Sequence, residues 1–276
     1  MYTPQYRTIP PVNGLHYVIG VHPLHNPERL MDVFGPIADL FTEKIEGVDF
    51  SIEASRNYAA FDEKLYSGEF EFALPNPYQT VLSLKHNYKV FGKMSDDHNF
   101  QGIILVRKDS KITDVMDLKG KNVCFPAPTA LAATMMPQYY LHEHGLDVGK
   151  DITVMYVGSQ ESSIMNVFMG NAAAGATWPP PWRALTKEKP ELAKEVMIKW
   201  RTETLPNNGL VARLDVPQEI VDKAAAILFS LHQTESGKRI LDRMELSRFE
   251  PATEKTYEPV IEFLKKFDQH VRQVEH

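Results

Sequence analysis

Catalysis and metal binding both need reactive side chains at fixed spacing, and this chain offers ten histidines and one cysteine to search. His22 and His25 share a loop with Pro23, Asn26 and Pro27. They have the chemistry to ligate a metal, but their expected role is capping or packing. His142 and His144 stand two apart in a helical stretch and so face different directions. Cys124 sits inside the apolar run Asn122–Phe125, where a cysteine acts as a small buried hydrophobe. A reactive or metal-ligating thiol is the lesser alternative. No HExxH, GxSxG, GxGxxG or P-loop pattern occurs. These patterns call for no catalytic residue, metal or cofactor, and the chain reads as a binder rather than an enzyme.

The binding chemistry concentrates between His98 and Thr134. The apolar run Gly102–Val106 ends in a charged turn, a short helix-like segment Asp114–Lys121 follows, and a second apolar run covers Asn122–Phe125. That run stops at Pro126-Ala127-Pro128-Thr129 and leads into a small-residue helical stretch. Strand, turn and helix start in this order leave several backbone N–H groups without intrahelical acceptors at one end. Such an end attracts anions without a lysine.

The elements that must position these groups alternate regularly. Leu15–Val21 reads as a strand, and Glu28–Glu46 has helical periodicity with Leu30, Phe34, Ile37, Leu40, Phe41 and Ile45 on one face. Val48–Ala54 is a second strand, Tyr58–Ser67 a second helix and Glu71–Leu74 a third strand. After Gly102 the pattern restarts, through the Ala130–His144 helix, the Ile152–Val157 strand and the Glu161–Met169 helix to the short apolar run Ala172–Trp178. Beyond Pro217 the chain reads as helical: Gln218–His232, Ser236–Met244 and Glu254–Val274. The spacing predicts two α/β units with largely parallel sheets and a helical tail.

Ligands of open α/β sheets sit at the carboxyl ends of strands. Here those ends are His22–Asn26, Ser55–Tyr58, Pro75–Tyr78, Pro126–Ala132, Gly158–Gln160 and Trp178–Pro181. Their Pro, Asn, Tyr, Gln and Trp residues shape a pocket and donate neutral hydrogen bonds. The triple proline Pro179–Pro181 is expected to form a rigid loop lining a cleft.

Bulk properties exclude other classes. With 276 residues the chain can bury a large core, and a net charge of -6 with scattered lysines and arginines argues against nucleic acid. No apolar stretch approaches the roughly 20 residues that cross a bilayer. Met1–Gln5 has neither the basic nor the apolar region of a signal peptide.

Several segments in sequence carry a family resemblance: Phe34-Gly35-Pro36-Ile37-Ala38, Asn57-Tyr58-Ala59-Ala60, Asn99–Ser110, Asp117–Lys121, Pro128-Thr129 and Ile240–Pro251. In order and spacing the chain, from about Val18 to Phe267, resembles the phosphonate-binding type of periplasmic solute-binding proteins, receptors of phosphate, phosphite and phosphonate ABC transporters. The resemblance implies an α/β fold of the two-lobed type II periplasmic binding protein class, with a hinge and C-terminal helices. Lobe one would comprise residues 1–102 plus 205–276, and lobe two residues 103–204. It further implies a periplasmic, monomeric receptor that closes on its ligand by hinge motion, exported and processed, with no cofactor.

The same resemblance maps a pocket. The family's hydroxyl-rich run at the helix start after the proline turn falls on Ala130, Leu131 and Ala132, with Thr129 before it, so backbone donors remain and three hydroxyls do not. Tyr58 matches a ligand-contacting tyrosine, Phe100 replaces another, and Gln160 replaces a histidine that grips the anion. The carboxylates that neutralise an aminated phosphonate fall close to Pro180 and Asn208, so 2-aminoethylphosphonate is expected not to bind. The remaining pocket, with Asn76, Tyr78 and an apolar wall from Trp178, suits phosphate, phosphite, methylphosphonate or an arsenic oxyanion. The partner would be an ABC permease or, as in arsenic-sensing relatives, a membrane histidine kinase. The alternative is a receptor of the same architecture for a sulfonate or a pyrimidine precursor.

Overall fold

A computed structural model of the chain describes residues 14–274. The Met1–Gln5 stretch read above for a signal peptide lies outside the described residues. The chain begins with β1 (Leu15–Val21), α1 (Pro27–Lys44), β2 (Val48–Ala54), α2 (Tyr58–Tyr66), β3 (Phe72–Leu74), α3 (Pro77–Ser83) and β4 (Tyr88–Met94). It continues through β5 (Gln101–Arg107), β6 (Asn122–Phe125), a π-helical turn at Leu131–Met135, α4 (Met136–Glu143), β7 (Thr153–Tyr156), α5 (Gln160–Phe168) and β8 (Ala174–Thr177). Then come α6 (Pro179–Glu188), α7 (Pro190–Glu195), β9 (Val196–Thr204) and β10 (Gly209–Arg213). The last elements are α8 (Gln218–Ser230), α9 (Glu235–Met244), β11 (Phe249–Glu250) and α10 (Glu258–His270).

These elements form two compact units, one of residues up to Asp96 with Asn207–Glu258, the other of Asp97–Pro206 with Pro259 onward. In the first unit a six-stranded sheet has the order β11-β4-β10-β3-β1-β2. β1 runs parallel to β2 and β3, whereas β10 is antiparallel to β3 and β4. Helix α1 starts where the Asn26 side chain accepts from the Arg29 N–H at 2.9 Å, with Pro27 at its first position. Its buried face, Leu30, Val33, Phe34, Ile37 and Phe41, covers the sheet, with Phe41 edge-on to Phe50 of β2 at 5.2 Å. Phe61 of α2 stacks on Phe70 at 5.5 Å beneath the opposite face.

The second unit holds a five-stranded sheet, order β7-β6-β8-β5-β9. β6 is parallel to β7 and β8, and β5 is antiparallel to β8 and β9. One core cluster gathers Ile104, Val106, Val123, Phe125, Leu141 and Leu146, and a second gathers Ile103, Leu105, Cys124, Ile164 and Val167. Alternate residues of β5 and β6 thus face opposite helices, as the period of two requires.

Three expectations are corrected. The sheets are mixed rather than largely parallel, because β4, β9 and β10 were not legible: β9 is a lysine- and arginine-bearing edge strand and β4 alternates around Lys89 and Lys93. The triple proline forms no loop but the first turn of α6, where missing N–H groups cost nothing. The C-terminal helices divide: α8 and α9 belong to the first unit, whereas α10 packs on α4 of the second, with Phe263 edge-on to Tyr139 at 5.5 Å and His270 stacked on His142 at 5.4 Å. The chain passes between the units at 96/97, 206/207 and 258/259, and Leu205 N donates to Phe100 O at 3.1 Å within the second unit.

Candidate functional site

In the first unit the carboxyl ends of β1 and β3 and the start of antiparallel β10 lie side by side. His22 N donates to Leu74 O at 3.2 Å, and Gly209 N donates to Pro75 O at 3.2 Å. This edge carries Tyr58, Asn76, Tyr78 and Asn208, all buried. Tyr58 opens α2 behind the Asn57 cap, and its ring lies 6.2 Å from that of His22. Asn76 is the N-cap of α3: its side chain accepts from Gln79 N at 3.1 Å, while the Gln79 side chain accepts from Asn76 N at 2.9 Å. The Asn76 carbonyl oxygen is therefore a helix cap first, and the sequence-based reading had assigned it to ligand alone. Asn208 turns its amide N–H toward Met94 Sδ at 3.4 Å, and its Oδ1 is buried with no partner.

In the second unit the corresponding edge is built from the ends of β6, β7 and β8 and the beginning of β5. Ala130, still in the extended region at φ -76° and ψ 99°, is the N-cap of the π-helical turn. The first acceptor inside that turn, Ala130 O, serves Thr134 N at 2.8 Å and Met135 N at 3.2 Å. The amides of Leu131, Ala132 and Ala133 precede it and have no acceptor within the helix. Thr134 Oγ1 is buried without a partner one turn on. The sequence had placed Thr134 only as a neighbour of the expected run.

Two distant residues support this turn. Gly102 of β5 lies under it, where a Cβ would stand 2.5 Å from Ala132 O and 2.7 Å from the Pro137 ring. Arg272, beyond α10, donates to Pro128 O at 2.6 Å and to Gln138 Oε1 at 3.2 Å. Neither was legible as a support from sequence, since both act through residues far along the chain.

Gln160, the first residue of α5, accepts from Thr177 Oγ1 at 2.8 Å, which fixes its carboxamide and directs the NH₂ end away from Thr177. Trp178 caps α6 and packs against Phe100 at 5.6 Å, so these two form one buried apolar surface. Prolines at the first three positions of α6 strip that helix start of the N–H groups that an anion would use. Of the helix starts on this edge, the turn after Ala130 therefore keeps its donors and α6 does not. Thr129 stands half-buried before the turn.

The candidate residues carry no charge. Among the described residues the buried lysine is Lys93, and it pairs with Glu250 at 2.8 Å. Cys124 is fully buried, donates to Ser163 O at 3.3 Å, and burial pushes its thiol above the usual range. It faces α5 within the core, which leaves no support for a thiol ligand. His144 stacks on Tyr140 at 4.0 Å while His142 stacks on His270, so these two histidines do face apart. Among the described residues no group of three or more His, Cys, Asp or Glu side chains is arranged to hold a metal ion. No described helix is long and apolar enough to cross a membrane.

A two-unit α/β chain with neutral donors at strand ends has the make-up of a solute receptor, and the comparisons agree. The model of the ABC transporter phosphonate periplasmic substrate-binding protein family matches residues 19–257, and the chain belongs to that family. The phosphonates-binding periplasmic protein of Escherichia coli is 21% identical over 165 residues, covering 58% of this chain and 49% of that protein. The chain thus matches about half the length of that curated relative.

Two solved structures share the fold. A binding protein component of an ABC phosphonate transporter from Pseudomonas aeruginosa has a TM-score of 0.85 at 15% identity, covering 93% of this chain and 88% of that one. A Prochlorococcus marinus protein solved with methylphosphonate has a TM-score of 0.83 at 20% identity, covering 92% and 98%. The fold is that of the two-lobed periplasmic binding proteins, as expected from sequence.

Proposed function

We propose that the chain is a periplasmic receptor that captures a small phosphorus oxyanion, phosphonate or phosphite in type, and delivers it to an ABC permease. The observation that carries this reading is the turn after β6, where the amides of Leu131, Ala132 and Ala133 lack intrahelical acceptors beside the buried, unpartnered Thr134 hydroxyl. An anion at such a place is stabilised by aligned amides and the helix dipole without a counter-cation.

In this reading Tyr58, Tyr78 and Asn208 from the first unit and Gln160 from the second complete the ligand's hydrogen bonds, with Phe100 and Trp178 excluding water. Ligand binding shifts the population toward a hinge-closed state, and the permease reads that state. The uncharged Asn208 and the prolines of α6 leave an ammonium group without a carboxylate, so 2-aminoethylphosphonate is a poor ligand.

A thermal-shift panel tests this: phosphate, phosphite, methylphosphonate, 2-aminoethylphosphonate, arsenite, arsenate, sulfate and taurine. A ligand present at about 100 times its Kd stabilises by about 2.7 kcal/mol, a shift of several degrees. A phosphorus oxyanion standing out supports the reading. A panel in which only taurine shifts the protein, or nothing does once copurified ligand is removed, refutes it.

A further inference from the structure

His22 is a titratable residue of the first unit's strand edge that the receptor reading leaves unused. Its Nδ1 meets Leu74 O at 2.8 Å, and since a carbonyl can only accept, Nδ1 carries the proton. The other ring nitrogen, Nε2, is thereby an acceptor. The ring is 3% exposed and sits against the rings of Tyr58 and Phe61. Burial, opposed only by the Leu74 hydrogen bond, lowers its pKa to about 4, so the acceptor stays unprotonated at neutral pH. Its titratable neighbours are Tyr58 and the buried His25, which in turn feels the charge of Arg29.

A second acceptor stands on the same edge. Asn208 Oδ1 is buried and unpartnered, at the start of β10, two strands from β1 across β3. Neighbouring strands are about 4.8 Å apart, which puts the two residues' backbones within roughly 10 Å. A fully deprotonated oxyanion brings only lone pairs to such groups. Two buried acceptors facing acceptor oxygens would leave all of them unsatisfied.

We propose that the first unit selects an oxyanion that still carries an acidic hydroxyl, the singly protonated monoanion, whose P–O–H donates to His22 Nε2, while Asn208 Oδ1 is a second acceptor that disfavours the fully deprotonated form. The inference rests on the phosphorus-oxyanion reading and names its ionic form. It also separates ligand classes, because a phosphonate monoanion has a hydroxyl at neutral pH and an isosteric sulfonate does not. A site built around a hydrogen-bond donor on the ligand rejects the analogue that lacks it far more strongly than an apolar pocket rejects a missing methylene.

Calorimetry with methylphosphonate and methanesulfonate from pH 6 to pH 9 tests the proposal on the wild type and on His22→Asn. The asparagine amide keeps a donor near the position of Nδ1 and removes the Nε2 acceptor. In the wild type the affinity for methylphosphonate falls tenfold per pH unit above the ligand's second ionisation, and methanesulfonate binds about 100-fold more weakly at pH 6. In His22→Asn the pH slope flattens and the gap between the two ligands narrows. A wild-type affinity that is flat or rises with pH, or equal binding of methanesulfonate, overturns the inference while leaving a receptor for oxyanions standing. Absence of binding by methylphosphonate, phosphite and phosphate at every pH overturns the functional reading and the inference together. A His22→Asn protein whose melting temperature matches the wild type yet keeps the full slope assigns the proton elsewhere and also overturns it.

Discussion

Replacing Gly102 by alanine should damage ligand binding from beneath the site without touching a ligand-facing side chain. The residue lies at an irregularity in the β5–β9 register, with its N–H donating to Thr202 Oγ1 at 2.8 Å. An added Cβ stands 2.5 Å from Ala132 O and 2.7 Å from the Pro137 ring. Neither neighbour is the flexible end of a side chain, so the turn and the start of α4 must retreat by roughly 0.5–1 Å to reach ordinary contact. Overpacking of this kind costs about 1–3 kcal/mol. In a protein of this size that corresponds to a fall in Tm of about 2–5 °C.

The affinity loss follows from the same displacement. Hydrogen bonds to a charged group contribute about 1.5–3 kcal/mol each, and moving the Leu131, Ala132 and Ala133 amides by that amount should weaken one or two of them. The expected Kd for a bound phosphorus oxyanion rises about 10- to 100-fold. Differential scanning fluorimetry and calorimetry read the two effects separately. Gly149→Ala serves as the control, since its Cβ would meet nothing nearer than 3.4 Å. A Gly102→Ala protein with lowered Tm and undiminished affinity would mean that these amides do not hold the anion. Unchanged Tm and unchanged affinity would refute the close packing itself.

Tyr58→Ala should weaken ligand binding by about 1–3 kcal/mol through a lost buried hydrogen bond and packing, read by calorimetry, and an unchanged Kd would remove Tyr58 from the site. Asn208→Asp should let 2-aminoethylphosphonate bind where the wild type does not, because a carboxylate then meets the ammonium; an unaltered rank order in the thermal-shift panel would refute the assignment. His22 and His25 are buried and neutral, with pKa values lowered to about 4 and about 3 mainly by burial. The unfolded chain therefore binds more protons than the folded one below pH about 6.5, and each histidine's contribution, complete above that pH, falls away by about 1.4 kcal/mol per unit as the pH drops toward its folded pKa. Denaturant unfolding between pH 7 and pH 5 should show this loss, and His25→Gln should remove part of it; a stability that is flat across the window would contradict the buried neutral state.

Much of the architecture could be read along the chain because it is written in local patterns. The face of α1 follows from apolar residues every three or four positions, and β1, β2 and β6 from short apolar runs bounded by Pro, Asn and Gly. The family could be recognised because its segments keep their order from the first helix to Ile240–Pro251. What stayed hidden depends on partners. β4 and β9 carry lysines and an arginine where strands usually alternate cleanly, and only pairing with β10 and with β5 makes them strands. The triple proline looked like a loop because proline breaks helices in their interior, yet at the first turn it only removes amides that lack acceptors anyway.

The candidate site divides in the same way. Residue types told that the strand ends were neutral, apolar-walled and rich in backbone donors, and one-dimensional spacing told which loops carried them. Only tertiary structure fixed which atoms of those residues are already engaged: Asn76 Oδ1 on the Gln79 amide, Gln160 Oε1 on the Thr177 hydroxyl, His22 Nδ1 on the Leu74 carbonyl. Gly102 and Arg272 became supports of one turn because β5 and the end of the chain meet at residues 128–137, contacts that no local pattern encodes. Sequence sets which hydrogen-bonding groups exist; the fold decides which of them its own backbone has satisfied, and therefore which remain for a ligand.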